Sequence, residues 1–407
     1  MSTKILFINQ FFYKKDGTAT QANEMLRELR NVGAEVIVFP PVSDQKRIQV
    51  IKAAKRTKRF IPEQIRKPWR SLHNLLLKKS KGKPQKNPQQ DLQQTVRKLE
   101  KVVNATKPDV ILGRLDILNL ALLSQIANWD IPLLLLTDAV LFHEINKVGY
   151  GNFSEKEREV ERNLWEKADA IIVLSSGLAN MIKAQGIDEK KIFINPLGVD
   201  PKQFRPGIDG TSVRQRYGLL GETVVGYVGK LNRIHDLNTL IDAFAICLPK
   251  CQGGLKLLMV GDGLERPRLE ALVAAKALQD HVIFTGYVNY ADIPAHIAAM
   301  DVVTSPLDKE NVIYSSPIKM FEYMAMAKPI VMTKGGQVSE ILTDGDTALL
   351  VEPHSPEAMS QAILQLVDNP QQRLEIGQRA REIIGQRYTW EANAQKVVQI
   401  SQQLVKK

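Results

Sequence analysis

The feature that most constrains this chain is a repeated alternation of short aliphatic runs with amphipathic helical stretches. In the first half the strand candidates are KILFIN (4–9), EVIVFP (35–40), DVILG (109–113), PLLLLT (132–137), AIIVLS (170–175) and KIFIN (191–195). The second half repeats the rhythm with TVVGYVG (223–229), KLLMVG (256–261), HVIFTG (281–286), DVVTSP (301–306), PIVMT (329–333) and ALLVEP (348–353). Strands that are apolar throughout, with helices between them, belong to parallel sheets covered on both faces. The pattern predicts an α/β chain made of two Rossmann-like, doubly wound domains. One helix start is legible in detail: Ser154 followed by Glu157 reads as a capping box ahead of EKEREVERNLWEKA.

Length agrees with this division, since 407 residues suggest two or three domains at about 150 residues each. The break is expected in NPLGVDPKQFRPGIDG (195–210), where Pro, Gly and Asp suit a hinge above a cleft. This predicts an N-terminal domain over 1–205, a C-terminal domain over 206–387, and a last helix (388–407) that packs back on the first domain. Strand C-termini and helix N-termini facing a cleft favour a phosphorylated ligand, because unpaired helix N–H groups attract anions. With 44% apolar residues the chain can build ordinary cores, and a chain of this size needs no disulfide or metal staple. Cys247 and Cys251, one helical turn apart with no Cys or His cluster nearby, read as reduced core thiols. No apolar run approaches the length needed to span a bilayer, and MSTKILFINQFF lacks the apolar core of a signal peptide. The expectation is a cytoplasmic protein.

The charge is concentrated. Residues 46–90 hold 15 Lys and Arg against the single acid Glu63, while the rest of the chain carries 40 basic and 43 acidic side chains. Within that segment Trp69, Leu72, Leu75 and Leu76 are spaced for one helical face. Flanking cations on such a face suit a helix lying on an anionic membrane surface. A solvated insertion packing on its own domain is the second reading. A nucleic acid or other polyanion is the third, with only Phe60 and Trp69 available for base stacking. Nucleic acid is not expected as a partner.

Five stretches in the second half resemble a known family, the GT-B glycosyltransferases and within them the retaining, nucleotide-sugar-using glycosyltransferase family 4. NPLGVDPKQFRP (195–206) resembles its inter-domain signature, and GYVGKLNRIHDLNTLIDAF (226–244) the unit that opens its donor domain. LMVGDGLERPRLEAL (258–272) and FTGYVNYADIPAHIAAMDVVTSP (284–306) resemble the next two units. SSPIKMFEYMAMAKPIVMTKGGQVSEILTDGDTALLVEP (315–353) resembles the donor-binding loop and helix. Together they span about 160 continuous residues. In the first half the likeness is one of fold: a strand, a Gly-containing loop (DGTAT, 16–20) and a helix on the acceptor side.

The resemblance assigns roles residue by residue. Glu322 matches the second glutamate of the family's E-x7-E motif, the one that binds ribose. Ser315, Ser316 and Pro317 form the loop into its helix, with N–H groups of Ser316, Ile318 and Lys319 aimed at phosphate. Lys230 stands where the family commonly has arginine and His235 where it has lysine; both would stabilise the departing diphosphate, where charge develops in the transition state. Gly17 and Val288 complete the donor contacts. Tyr314 occupies the place of the first glutamate, with Glu310 nearby but out of register. Lys319, one turn before Glu322, either helps with phosphate or pairs with Glu322. On the acceptor side Asp138 ends the strand PLLLLT, near a position that faces the sugar, with His143 and Glu144 following on an expected loop. Gly335, Gly336 and Glu340 match the pattern G-G-x-x-E. Asp344-Gly345-Asp346 looks like a metal-binding D-x-D but reads here as a turn, so neither metal nor cofactor is expected.

The implied activity is transfer of a sugar from a nucleotide diphosphate donor to an acceptor, which the basic segment suggests is lipid-linked or at a membrane surface. Two rivals keep the fold: a sugar-nucleotide sensor or scaffold without turnover, and a nucleotide-sugar epimerase.

Overall fold

The computed structural model describes residues 2–9, 17–39, 88–117, 119–143, 154–251, 253–385 and 387–406. The basic segment expected over 46–90 lies outside the described residues up to position 87; Pro88 opens a helix that runs to Thr106. All the predicted apolar runs carry strands, most of them shortened where polar residues, Gly or Pro flank the aliphatic centre, while the run at 109–113 continues to Leu115 and that at 256–261 begins at Leu255. In chain order they are β1 Lys4–Ile8, β2 Glu35–Phe39, β3 Val110–Leu115, β4 Leu133–Thr137, β5 Ala170–Val173 and β6 Ile192–Ile194. The second set is β7 Thr223–Val228, β8 Leu255–Val260, β9 Val282–Gly286, β10 Val302–Ser305, β11 Ile330–Thr333 and β12 Leu349–Val351.

The chain divides into two compact units, one of residues 1–174, 178–195 and 394–407, the other of 175–177 and 196–393. The first holds a parallel sheet in the order β2-β1-β3-β4-β5-β6. β3 and β4 are buried at every position, as strands covered on both faces must be. Helix Gly17–Asn31 lays Ala22, Met25 and Leu29 on Ile5, Phe7 and Leu112. Into the same core the C-terminal helix Trp390–Val405 contributes Ala394, Val397 and Ile400, spaced for one helical face. Residues 17–20 were expected as a loop, but the described part is already helical. Buried Ala19, Ala22, Leu26 and Leu29 form a stripe at helical spacing that extends the helix back to Gly17.

The second unit holds a parallel sheet in the order β12-β11-β10-β7-β8-β9. Neighbours β7 and β10 pair through Val225↔Val302 and Gly226↔Val303, and successive strands are added outward from them in both directions. That pair is the topological switch point, where the loops leaving the two strands diverge and open a crevice at their C-terminal ends. The unit takes up the chain at Pro196, inside the hinge read over 195–210 and ten residues before the boundary expected at 206. Leu197, Val199 and Phe204 are the cause: all three are buried, and Phe204 packs on Tyr290 with ring centroids 5.5 Å apart. Cys247 and Cys251 are free thiols, and burial pushes the Cys247 thiol up to about 12. The capping box is present: the Ser154 hydroxyl accepts from the Glu157 N–H, and the Glu157 carboxylate accepts from the Ser154 N–H at 2.7 Å. Among the described residues no helix is long and apolar enough to cross a membrane.

Candidate functional site

The densest concentration of buried ionisable groups sits at the β7/β10 switch point. Helix Ile318–Ala325 carries Lys319 and Glu322 one turn apart, both almost fully buried at 5% and 3% exposure. Two buried charges on one face cost several kcal/mol unless they are paired or serve a ligand. Burial lowers the Lys319 pKa, with the Glu322 carboxylate opposing the shift. Burial likewise raises the Glu322 pKa, opposed by the neighbouring Tyr290 hydroxyl and by Lys319. Such a pair is poised to exchange a proton or to be recharged by an incoming anion.

Tyrosines lock this helix to the strands. The Tyr323 hydroxyl accepts from the Val228 N–H at 2.8 Å and donates to the Thr304 carbonyl at 3.4 Å, bridging the ends of β7 and β10. Lys319 Nζ donates to the Tyr227 hydroxyl at 3.1 Å and lies 4.3 Å from the Tyr227 ring centroid. The Tyr227 hydroxyl in turn donates to the Lys230 carbonyl at 3.1 Å. Gly229, at φ +148°, leaves the room: a Cβ there would lie 2.7 Å from Lys319 Nζ and 2.8 Å from the Tyr227 hydroxyl. Only glycine both adopts that backbone and admits the ammonium.

The loop after β7 presents the next two predicted residues differently. Lys230 is exposed. The His235 ring meets Tyr227 edge-on, with centroids 5.8 Å apart, and its buried Nδ1 has no hydrogen-bond partner among the described residues. Burial, then the Lys319 and Lys230 ammonium groups, hold the His235 pKa well below its ordinary value. It is therefore a neutral hydrogen-bonding group and not a stand-in cation. Beside it opens a cavity of about 330 Å³, edged by Arg233, Asp236 and Arg268.

The remaining donor-side residues gather on the neighbouring loops. The Ser315 hydroxyl donates to the Asn311 carbonyl at 2.6 Å, and Pro317 caps the helix in extended conformation. First-turn N–H groups beyond that cap, those of Ile318 and Lys319 included, have no acceptor within the helix. Ser316 lies half-buried in the same loop, and Val288 half-buried in the loop after β9. Tyr314, at the place of the first motif glutamate, is buried and donates to Asn311 Oδ1 at 2.8 Å. Gly336 opens helix Gly336–Ile341, on which Glu340 is exposed. Asp344 accepts from the Leu350 N–H at 2.8 Å while Asp346 pairs with Arg379 at 2.9 Å, so the two carboxylates face different partners.

In the first unit Asp138 follows β4, and its carboxylate is engaged on both oxygens. Gln21 Nε2 donates to one at 3.1 Å, and the buried Arg114 guanidinium pairs with the other. Arg114 also donates to Gln21 Oε1 at 2.9 Å, closing a three-residue network at the ends of β3 and β4. The expected loop after Asp138 is partly a helical turn at 141–143; Glu161 fixes its start by accepting from the Leu141 N–H at 2.7 Å and the Phe142 N–H at 3.1 Å. His143 is the last described residue of that turn, and Glu144 lies outside the described residues. Gly17 lies at the first position of its helix.

Several residues of these networks carried no sequence signal: Tyr227, Tyr290, Tyr323, Arg114 and Gln21. The tyrosines read as strand or helix core, and only the partners that register brings alongside reveal their hydroxyls as positioning groups.

Two family models match, "Glycosyl transferases group 1" over residues 222–369 and "Glycosyltransferase Family 4" over 15–203. The chain is 29% identical over 237 residues to alpha-D-kanosaminyltransferase of Streptomyces kanamyceticus, covering 57% of this chain and 60% of that protein. It is 27% identical over 260 residues to D-inositol 3-phosphate glycosyltransferase of Corynebacterium urealyticum, covering 61% of this chain and 60% of that one. The match thus spans about three fifths of these relatives. In fold it resembles Anabaena HepE, solved in complex with UDP, with TM-score 0.74 and 19% identity over 98% of this chain and all of that one. Sucrose-phosphate synthase of Thermosynechococcus elongatus gives TM-score 0.75 and 20% identity over 99% of both chains. With both units matched by glycosyltransferase models and the two six-stranded parallel sheets in place, the chain belongs to the GT-B glycosyltransferases of the family 4 type.

Proposed function

We propose that the protein transfers a sugar from a nucleotide diphosphate sugar to an acceptor hydroxyl, with retention of anomeric configuration. The observation that carries this reading is the buried Lys319–Glu322 pair at the β7/β10 switch point, with neutral His235 and exposed Lys230 on the adjoining loop. The second unit would hold the donor and the first, around Asp138, the acceptor.

Each residue has a separable task. Glu322 accepts hydrogen bonds from ribose hydroxyls. Lys319 supplies a desolvated cation, and the N–H groups of Ser316, Ile318 and Lys319 supply fixed dipoles for the diphosphate oxygens. As the glycosidic bond breaks, negative charge grows on the leaving diphosphate, and Lys319 with Lys230 stabilises it more strongly than in the ground state. His235 donates one hydrogen bond without adding charge. Side chains and helix dipoles answer the leaving-group charge, so no divalent ion is needed.

The choice of donor is guided by the relatives: HepE was solved with UDP and with UDP-glucose, which makes UDP-sugars the first probes. The basic segment 46–90 supports an acceptor that is lipid-linked or presented at an anionic membrane surface. The test is nucleotide diphosphate release from UDP-, GDP- and ADP-sugars, with and without EDTA, anionic vesicles and lipid extract. Release from one donor that survives EDTA, with an α-anomeric product from an α-donor, supports the reading. Vesicle stimulation supports the membrane acceptor. Tight binding of one donor without turnover favours a sensor or scaffold, the reading that Tyr314 in place of a glutamate keeps in view. Product formed with no acceptor would instead indicate an epimerase.

A further inference from the structure

Among the described residues, four that are not glycine have left-handed backbone: Lys107, Ala277, Ala327 and His354. The first three fall just past helix C-termini, where a left-handed residue ends the helix. His354, at φ +56°, follows β12 and precedes helix Pro356–Asp368, so no helix ending requires it. Glycine would adopt this conformation without strain. A histidine that tolerates it points to a task for its side chain.

That side chain lies between two carboxylates from two other loops. Nδ1 is 2.8 Å from Asp236 Oδ2 and Nε2 is 3.4 Å from Asp308 Oδ2. The first contact is a hydrogen bond, and the second is a longer polar contact that brings the ring's other edge against Asp308. Asp236 immediately follows His235 and also accepts from the Thr239 hydroxyl at 2.6 Å. Asp308 caps the short helix Lys309–Val312 by accepting from the Glu310 N–H at 3.0 Å, and its own N–H donates to the Ile234 carbonyl at 3.2 Å. From Asp308 the chain runs through Asn311 to the Ser315–Pro317 loop. The histidine thus joins the loop that presents His235 to the one that leads into the donor helix.

We propose that His354 is a positioning residue for the donor site, a two-ended pin that holds the β7 and β10 loops at a fixed separation through Asp236 and Asp308. It touches neither Lys319 nor Glu322 and acts through the loops it joins. The inference rests on the transferase reading above and adds a residue outside the motifs that carried it.

The test compares His354→Gly, which relieves the backbone and removes both contacts, with His354→Asn, whose amide tolerates the backbone and can donate to one carboxylate. UDP-glucose, GDP-mannose and ADP-glucose are the donor probes, and thermal unfolding is followed in parallel. His354→Gly is expected to keep its melting temperature and raise the KM for donor by roughly 3- to 10-fold, the effect of losing one partly exposed hydrogen bond to a carboxylate and the longer contact beside it. The KM for acceptor stays unchanged, and His354→Asn falls between. In an Asp308→Asn background the His354→Gly effect should shrink, since one end of the pin is already lost. Wild-type donor kinetics in His354→Gly, or full additivity with Asp308→Asn, overturns the inference alone. A wild-type protein that neither turns over nor binds any of the probes overturns the transferase reading, and this inference with it.

Discussion

The ends of the two sheets solve the same problem in opposite ways. In the first unit the buried charge at the strand ends is answered from within: Arg114 meets Asp138, and Gln21 bridges both. In the second unit both Lys319 and Glu322 are buried, shifted away from their charged forms, and held by tyrosine hydroxyls. An internally answered charge network fixes a surface; an incompletely answered one is prepared for a ligand that brings its own charge. The difference fits the anion binding proposed for the second unit, with the Arg114 network as scaffold in the first.

The comparison breaks most sharply at Lys319. Lys319→Met should lower diphosphate release by about 100-fold or more, the usual loss when one preorganised group facing transition-state charge is removed. Arg114→Met should act on stability first. It leaves the Asp138 carboxylate, 24% exposed, without its ion-pair partner, at a cost of about 2 kcal/mol, short of that for a fully buried pair. Chemical denaturation reads that loss, and nucleoside diphosphate affinity should not change.

A proton sharpens the contrast further. Burial lowers the Lys319 pKa, so raising pH discharges the ammonium well before the ordinary lysine range. A diphosphate favours the charged form, so binding takes up a proton and weakens as pH rises. Calorimetry at pH 8 in two buffers of different ionisation heat measures that uptake, which Lys319→Met should abolish. A smaller effect is expected from Tyr227→Phe, which removes the hydroxyl between Lys319 and the Lys230 carbonyl; kcat/KM should drop roughly 5- to 10-fold, about one hydrogen bond. Smallest of all, Cys247 should resist thiol reagents at pH 8 in the folded protein, because burial pushes its thiol up to about 12.

The strands were legible because uninterrupted aliphatic runs leave a parallel, doubly covered sheet as the natural arrangement, and the capping box because both its partners lie within four residues. Glu322 and Lys230 were visible through the resemblance to the family's motifs. The networks around them were not. Tyr227 and Lys319 are 92 positions apart and His354 and Asp236 are 118 apart, separations at which only the sheet order decides who meets whom. The neutral state of His235 was hidden for the same reason, since beside burial two of its causes, the Lys319 and Lys230 charges, converge from a distant helix and from its own loop. Phe204 read as part of a linker, and only the fold shows it buried beside Tyr290 in the second unit.

The central claim is that Lys319 and Glu322 form the seat of a nucleoside diphosphate. Titrating UDP, GDP and ADP into the wild-type protein, Lys319→Met and Glu322→Gln by calorimetry tests it directly. The account predicts binding of one diphosphate by the wild type, loss of affinity in both variants, and proton uptake that disappears with Lys319. Equal affinity in all three proteins, or no binding by a folded wild type, would contradict it.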